Sequence, residues 1–281
     1  MEIGDYRVEI VPDCVFKLDG GAMFGVVPRV LWERVCPADE LNRIQLTCNC
    51  LFIDTGKEKI LVETGMGETW SPKELSLYGI DREQTFAESL FTITGSHPEN
   101  ITIVVNTHLH FDHAGGNTIF NARHDGLRPQ FPKARYLVSK SEFEKAEKPH
   151  ERDRASYLSE NWHPLIDSGQ LDLKPDVYDV VDGLTVEQVR GHSETMQTIK
   201  LTRGGETLFG FFDMIPTRQH LPLPWIMSYD LFPTETMEFK RWILPKAVEE
   251  NWICHFYHDI DIPLCRLAEI NGKIVTCELN N

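Results

Sequence analysis

Positive charge is what this 281-residue chain has little of. It carries 28 Lys and Arg against 43 Asp and Glu, a formal net charge of −15. Nucleic-acid binding needs clustered cations that release counterions from phosphates, and no basic run occurs. Nucleic-acid partners are therefore not expected, and anionic membrane surfaces are disfavoured for the same reason. No apolar run approaches the ~20 residues of a membrane span. Residues 1–6 have neither the basic start nor the apolar stretch of a secretory signal. The seven cysteines form no Cys-x-x-Cys pair and are odd in number, so neither a disulfide framework nor a cysteine zinc site is indicated. Cys48 and Cys50, two apart on an expected strand, would share a face and are read as buried thiols. Reduced thiols without a signal point to the cytoplasm. Low-complexity tracts, repeats and Pro/Gly-rich linkers are also missing. With 41% hydrophobic and 25% charged residues the chain can bury a full core, and one domain over residues 1–281 is expected.

Against these absences stands Thr107-His108-Leu109-His110-Phe111-Asp112-His113. It follows the β-branched run 101–105, a good buried strand, and precedes Ala114-Gly115-Gly116. Residues two apart in extended chain point the same way, so His108 and His110 can share one metal. Asp112 and His113 lie where the chain turns and can face a second. Imidazole with carboxylate suits Zn, Mn or Fe, and no neighbouring Cys marks a purely structural zinc.

Elsewhere the pattern alternates between strand and helix. Strands are expected at 6–10, 45–53, 59–63, 135–139, 184–189, 253–257 and 273–279, with a hairpin of 198–202 and 207–212 around Arg203-Gly204-Gly205-Glu206. A polar helical stretch covers 71–91. Ser141 and Glu144 have capping-box spacing, which predicts a helix starting there. Phe239, Trp242, Ile243, Ala247 and Val248 are spaced as a helix stripe, with Pro245 kinking it or starting a second helix. Strands then helices in two successive halves fit an α/β (α+β) four-layer αββα sandwich.

The run His108-x-His110-x-Asp112-His113 resembles the signature of the metallo-β-lactamase superfamily, which folds as such a sandwich with its metals at one edge of the two sheets. The resemblance implies further ligands. Gly191-His192-Ser193 resembles the Gly-His motif and would add His192 to His108 and His110. Asp213, after Gly210-Phe211-Phe212, resembles the carboxylate that bridges both metals, with Asp182 and Asp230 as rivals. Phe256-Tyr257-His258-Asp259 resembles the closing motif, so His258 joins Asp112 and His113. His255 would point to the opposite face. His97, His124, His150, His163 and His220 are read as surface or packing residues. Of two Asp-Thr-Gly-like segments, Glu63-Thr64-Gly65 is preferred to Asp54-Thr55-Gly56, with Glu63 orienting imidazoles from behind.

The implied cofactor is a pair of divalent ions, Zn before Mn, Fe or Co, that ionise a shared water for hydrolysis, with Asp112 also carrying a proton. The segment Leu18-Asp19-Gly20-Gly21-Ala22-Met23-Phe24-Gly25-Val26-Val27-Pro28 is similar to the start of the quorum-quenching, YtnP-like lactonase branch. So are Asn161-Trp162, Ile215-Pro216-Thr217, Trp225 and Tyr229-Asp230. That branch implies opening of N-acyl homoserine lactones, a neutral small-molecule substrate with an apolar tail. Pro216 stands where some lactonases have a Tyr that steadies the substrate carbonyl, leaving Tyr229, Tyr257 or His220 as substitutes. Phe24, Trp225 and Tyr229 are expected to bind substrate. Alternatives on the same fold are a glutathione thioesterase, a mononuclear-iron persulfide dioxygenase and a non-catalytic metal-stabilised binding module. An apolar N-terminal arm with Phe24, Val26, Val27, Leu31 and Trp32 suggests a homodimer contact.

Overall fold

The computed structural model describes residues 1–279; Asn280 and Asn281, the end of the expected domain, lie outside the described residues. Long alternating runs make the N-terminal strands. After β1 (Glu2–Ile3), β2 (Tyr6–Asp19) pairs antiparallel with β3 (Arg43–Asp54) along nearly its whole length. The register slips between Pro12 and Val15, where proline lacks the N–H a ladder needs. A turn closed by the Asp54 carboxylate on the Gly56 N–H leads into β4 (Lys59–Val62). From β4 onward the partners are parallel, first β5 (Ile103–Val105). The ribbon of β6 (Thr118–Phe120) and β7 (Leu127–Pro129) stands apart, and β8 (Arg135–Ser139) and β9 (Leu171–Lys174) finish the first sheet.

The second sheet runs in chain order through β10 (Val177–Val181), β11 (Leu184–Gln188), β12 (Gln197–Arg203), β13 (Glu206–Gly210), β14 (Ile253–His255), β15 (Leu264–Ile270) and β16 (Lys273–Cys277). All its neighbours are antiparallel except β13 and β14. A parallel pair needs a crossover, and the helix over Pro233–Glu249 supplies it. That helix is continuous through Pro245, so of the two alternatives, a kink or a second helix, the second helix does not form. It buries Phe239, Ile243, Leu244 and Ala247 but leaves Trp242 54% exposed, a correction to the predicted stripe.

Helices are otherwise short: α1 (Gly20–Phe24), α2 (Arg29–Trp32), α3 (Pro72–Tyr78), α4 (Phe86–Thr94), α5 (Phe111–Ala114), α6 (Lys140–Glu147) and α7 (His163–Asp167), before α8 (Pro233–Glu249). The polar stretch read as one helical region is two. Ser71 with Glu74 and Thr85 with Glu88 each close a full capping box, and Gly79 ends α3 in the left-handed conformation. α4 and α6 lie on strands of the first sheet and α8 on β15 of the second, giving the four layers αββα.

Between the layers lies one buried apolar cluster drawn from both sheets, including Phe16, Phe52, Leu61, Val104, Ile199, Leu208 and Ile253. It also takes in Phe24, Val27 and Trp32. These three were expected on an open dimer arm and are instead packed within their own chain, while Val26 and Leu31 stay exposed. No helix among the described residues is long and apolar enough to cross a membrane.

A buried histidine illustrates how the core meets polar groups. His255 on β14 turns its Nε2 to the Asn49 carbonyl on β3, 2.9 Å away, and burial lowers its pKa to about 3. A ring that resists protonation when folded, but accepts a proton near pH 6.5 when unfolded, stabilises the fold fully above that pH. Its contribution is lost as pH falls toward 3. Replacing His255 with Gln should therefore flatten the acid side of the stability profile by roughly 1.4 kcal/mol per pH unit. Urea unfolding of metal-free wild type and variant between pH 6 and 4 measures this; parallel slopes would contradict it.

Candidate metal centre

Each group of the expected set comes from the end of an element at one edge of the sandwich. After β5 the chain stays extended through His108 and His110, then α5 makes a single turn. That turn brings the His113 ring to 4.0 Å from the His108 ring, centroid to centroid, and carries Asp112 toward His258. The turn is held by backbone packed on backbone. A side chain at Gly115 or Gly116 would overlap the carbonyl of Met66 or Thr64, and Gly67, at φ 70°, lies against Gly115. Gly-Gly after the His run and Gly-x-Gly after Thr64 are one contact seen from two sides.

His192 follows β11, Asp213 follows β13 and His258 follows β14. Asp213 sits after Phe212, whose φ of 47° is unusual for a bulky side chain. Its two oxygens face different neighbours. Oδ2 lies 3.3 Å from His192 Nε2 and 4.0 Å from His108 Nε2, and His110 Nδ1 is 3.1 Å from His192 Nε2. Oδ1 lies 3.1 Å from both His113 Nε2 and His258 Nε2, with Asp112 Oδ2 3.6 Å from the latter. The seven side chains thus form two sets, His108-His110-His192 and Asp112-His113-His258, which share Asp213.

A third grouping joins Glu63 to His108 and His113. Glu63, fully buried at φ 63°, accepts the N–H of Thr107 at 2.9 Å and the Thr107 hydroxyl. The Thr107 oxygen then receives Nδ1–H of His108 at 3.1 Å. Asp54, the rival for this place, instead pairs with Lys59 in the turn after β3. His258 gives its Nδ1–H to the Thr47 carbonyl at 2.8 Å, which leaves Nε2 as a lone-pair donor facing Asp112 and Asp213.

Asp230, considered only as a rival to Asp213, accepts Nδ1–H of His192 at 3.0 Å and the Thr236 hydroxyl at 2.7 Å. Asp182 is on the surface with Arg203. His255 points away, as the strand alternation requires. The buried thiol of Cys48 reaches the Asp112 carbonyl at 3.3 Å, and the Tyr257 hydroxyl donates to the same oxygen at 2.8 Å.

The chemistry of the set fits divalent cations. The buried Nε2 atoms of His108 and His113 and Oδ1 of Asp213 make no aligned hydrogen bond among the described residues. Orphaned buried polar atoms are costly unless something pairs them. The field is correspondingly uneven. Burial, reinforced by His113 and His110, pushes His108 well below the usual imidazole range. Burial also opposes charge on His113, but Asp213 and Asp112 outweigh it and raise that ring well above the range. Burial likewise opposes charge on His192, and Asp213 and Asp230 more than reverse it.

A cavity of about 330 Å³ opens onto this centre, lined by His110, Asp112, His192, Asp213 and His258 at its base. Its walls are mainly apolar, from Leu18, Met23, Tyr78, Phe111, Met227 and Tyr229. Of the three residues predicted to bind substrate, only Tyr229 is there. Phe24 is buried between Trp32 and His220, and Trp225 packs its edge on Phe24 one layer back. The rings that line the cavity are Tyr78, Phe111 and Tyr229, and the sequence does not say which ring faces outward. Tyr257 and His220 are not free to meet substrate either: Tyr257 is committed to Asp112, and His220 to Thr217 and the Met23 carbonyl.

The loops around the mouth are tied together. Ser228 N–H donates to the Ala22 carbonyl at 2.7 Å, and Arg152 donates to the Ser228 carbonyl. Buried Lys240 donates to the carbonyls of Pro222, Leu223 and Trp225 at 2.7, 3.3 and 2.9 Å. Nothing in the sequence distinguishes that lysine from a surface one on α8.

Comparison with known proteins agrees with this architecture. The sequence profile of the metallo-beta-lactamase superfamily matches residues 43–208. An N-acyl homoserine lactonase of Bacillus cereus is 27% identical over 167 residues, covering 56% of this chain and 59% of the relative. The chain thus spans somewhat over half the length of the curated relatives it matches. A probable metal-dependent hydrolase from Staphylococcus aureus superposes with a TM-score of 0.90 at 28% identity, covering 100% of this chain and 99% of the other. AidC, a dizinc quorum-quenching lactonase, shares the fold at a TM-score of 0.80 and 16% identity, covering 100% and 97%. With its profile match across more than half of its length and its ligand-type groups at the shared edge of two sheets, the chain belongs to the metallo-β-lactamase superfamily.

Proposed function

We propose that the chain is a dinuclear metal-dependent hydrolase that opens lactone rings, N-acyl homoserine lactones among them. The observation that carries this reading is Asp213, whose two oxygens address two separate imidazole sets at the base of an apolar cavity. His108, His110 and His192 would hold one divalent cation, Asp112, His113 and His258 the other, and Asp213 both. Zn suits this nitrogen and oxygen set, with Mn, Fe or Co as alternatives. Such a pair supplies Lewis acidity that lowers the pKa of a shared water toward about 7 and polarises a carbonyl oxygen. Both sheets contribute ligands and neither half has a full set, so residues 1–281 act as one domain in this reading.

The chain's own groups supply the rest. Asp112 lines the cavity beside His258 and is placed to take a proton from the attacking water and return it to the leaving alkoxide oxygen. Its backbone is fixed by Tyr257 and Cys48, which holds the carboxylate in reach. Met23, Phe111, Met227 and Tyr229 offer an apolar wall to an acyl tail and exclude water from it. Pro216, where a phenol was sought, gives its carbonyl to the His258 N–H at 2.9 Å. Tyr229 is then the phenol of the three candidates that reaches the cavity, and it would steady the substrate carbonyl.

Substrate charge is part of the argument. Glutathione carries two carboxylates and an ammonium, yet Arg152 is the only Lys or Arg among the lining residues. A neutral lactone enters a chain of net charge −15 without repulsion. Seven free thiols suit the reducing cytoplasm as the place of action.

Protein reconstituted with Zn²⁺, Mn²⁺ or Co²⁺ should acidify weakly buffered acyl homoserine lactone, and faster than it cleaves acyl-glutathione or a phosphoester. Asp112→Asn should lower kcat by roughly 10²–10⁴-fold with the fold intact. No turnover across short and long acyl chains would remove the lactone reading, while thiol release from acyl-glutathione would replace it.

A second expectation concerns protons. Asp213 holds His113 and His192 above the ordinary range in the metal-free protein, so protons compete with a cation for these rings up to a higher pH than for a free imidazole. Cation uptake should strengthen as pH rises, and should weaken as pH falls and protons compete for the rings. Calorimetry in two buffers of different ionisation enthalpy counts the protons released. A buffer-independent heat would contradict the assignment.

A further inference from the structure

Three helices of this chain begin with the same arrangement, a hydroxyl residue followed three positions later by Glu. In α3 and α4 the Glu reaches back to its own cap: Glu74 accepts the Ser71 N–H at 3.0 Å and Glu88 accepts the Thr85 N–H at 2.8 Å, both on the surface. In α6 the cap is Ser139, whose hydroxyl accepts the Glu142 N–H at 3.1 Å. The expected cap, Ser141, bonds Asp176 and Gln188 instead. Glu142 does not return the bond. Its side chain is fully buried and turned to the metal centre.

There Oε1 accepts the N–H of Leu109 at 2.8 Å, the peptide between His108 and His110. Oε2 accepts the hydroxyl of Thr195, three residues beyond His192. Ser193 stiffens that loop from within, its oxygen receiving the N–H groups of Thr195 and Met196 at 3.3 and 2.9 Å. One carboxylate therefore spans the loop after β5 of the first sheet and the loop after β11 of the second. These two loops carry all three imidazoles of the His108-His110-His192 set.

We propose that Glu142 is a positioning residue that fixes the spacing of His110 and His192 by holding Leu109 and Thr195 on a single buried carboxylate. The inference rests on the metal-centre reading above. It places the clamp on one half only, because Asp112, His113 and His258 receive nothing from Glu142. Buried carboxylates in such roles usually change metal affinity by about 10–100-fold.

The test is titration of metal-free protein with Co²⁺, followed by its visible absorption. Wild type, Glu142→Leu, Glu142→Gln and Thr195→Val are each compared alone and in a His258→Ala background, which leaves the His108-His110-His192 set. Circular dichroism checks folding. Glu142→Leu should weaken Co²⁺ binding in that background by about 10–100-fold and change the absorption band. Glu142→Gln keeps an acceptor for Leu109 and guards against a Leu variant that fails to fold; it and Thr195→Val should fall between. Folded variants whose titrations and spectra match wild type overturn the clamp alone. A wild type that takes up no Co²⁺ overturns the metal-centre reading and the clamp with it.

Discussion

A carboxylate buried between two sets of imidazoles is the constraint around which this structure is arranged. Asp213 is 5% exposed and has five ring nitrogens within reach of its two oxygens or their neighbours. An ionised carboxylate in such a place is tolerable only with partners on both sides. Those partners come from the ends of β5, β11 and β14, in two different sheets. The sandwich is what brings strand ends of separate sheets to one edge, so fold and site are a single requirement. The strained backbone at Glu63 and Phe212 falls on the residues that face or precede the carboxylate, where a relaxed conformation would aim the chain elsewhere.

Holding imidazoles in register takes a second layer of groups, and here it is largely anionic. Glu63 acts through Thr107 on His108, Asp230 on His192, and the Thr47 carbonyl on His258. Each fixes the outer nitrogen as the proton-bearing one and leaves the inner nitrogen with a lone pair. His110 has no such partner among the described residues, as its Nε2 is buried without a hydrogen bond. Its position is set by backbone instead. The antiparallel bridge to Tyr157 and the Tyr157 ring, 4.6 Å away, confine it.

How much of this could be read in the sequence depends on how local each signal is. His108, His110, Asp112 and His113 announce themselves because ligand-type residues are crowded beside a β-branched run. His192, Asp213 and His258 are separated by tens of residues, yet each stands just past a strand that the sequence marks. Glu63 was legible through Thr64-Gly65. Glu142 was not, since at helix position N3 it is indistinguishable from Glu74 and Glu88, and only burial reveals that its bonds go elsewhere. Phe24 and Trp225 failed for a related reason. Aromatic residues near a site fill its walls and its foundations alike, and which ring faces the cavity is decided by packing three loops together. Strands β9, β10 and β15 escaped notice because their half-exposed, mixed residues give weak alternation.

Charge gives the last step. Glu63, Asp112, Glu142, Asp213 and Asp230 are all buried around the centre, and among the described residues no Lys or Arg pairs with any of them. Burial raises Asp230 and Glu142 despite their hydrogen bonds, and the nearby carboxylates of Asp213 and Asp153 add to it. Against burial, Asp213 raises His113 and His192 above the usual imidazole range and so relieves part of this negative charge, whereas burial lowers His108, helped by His113 and His110, and lowers His110, helped by His192. Burial thus favours the ligating, neutral form of His108 and His110, while His113 and His192 are held higher by the bridging carboxylate they face. Neutral nitrogens, surplus carboxylate oxygens and a missing counter-charge converge on one cavity base. Side chains alone do not close that balance, and multivalent cations would, which is the physical ground for reading a metal centre in this chain.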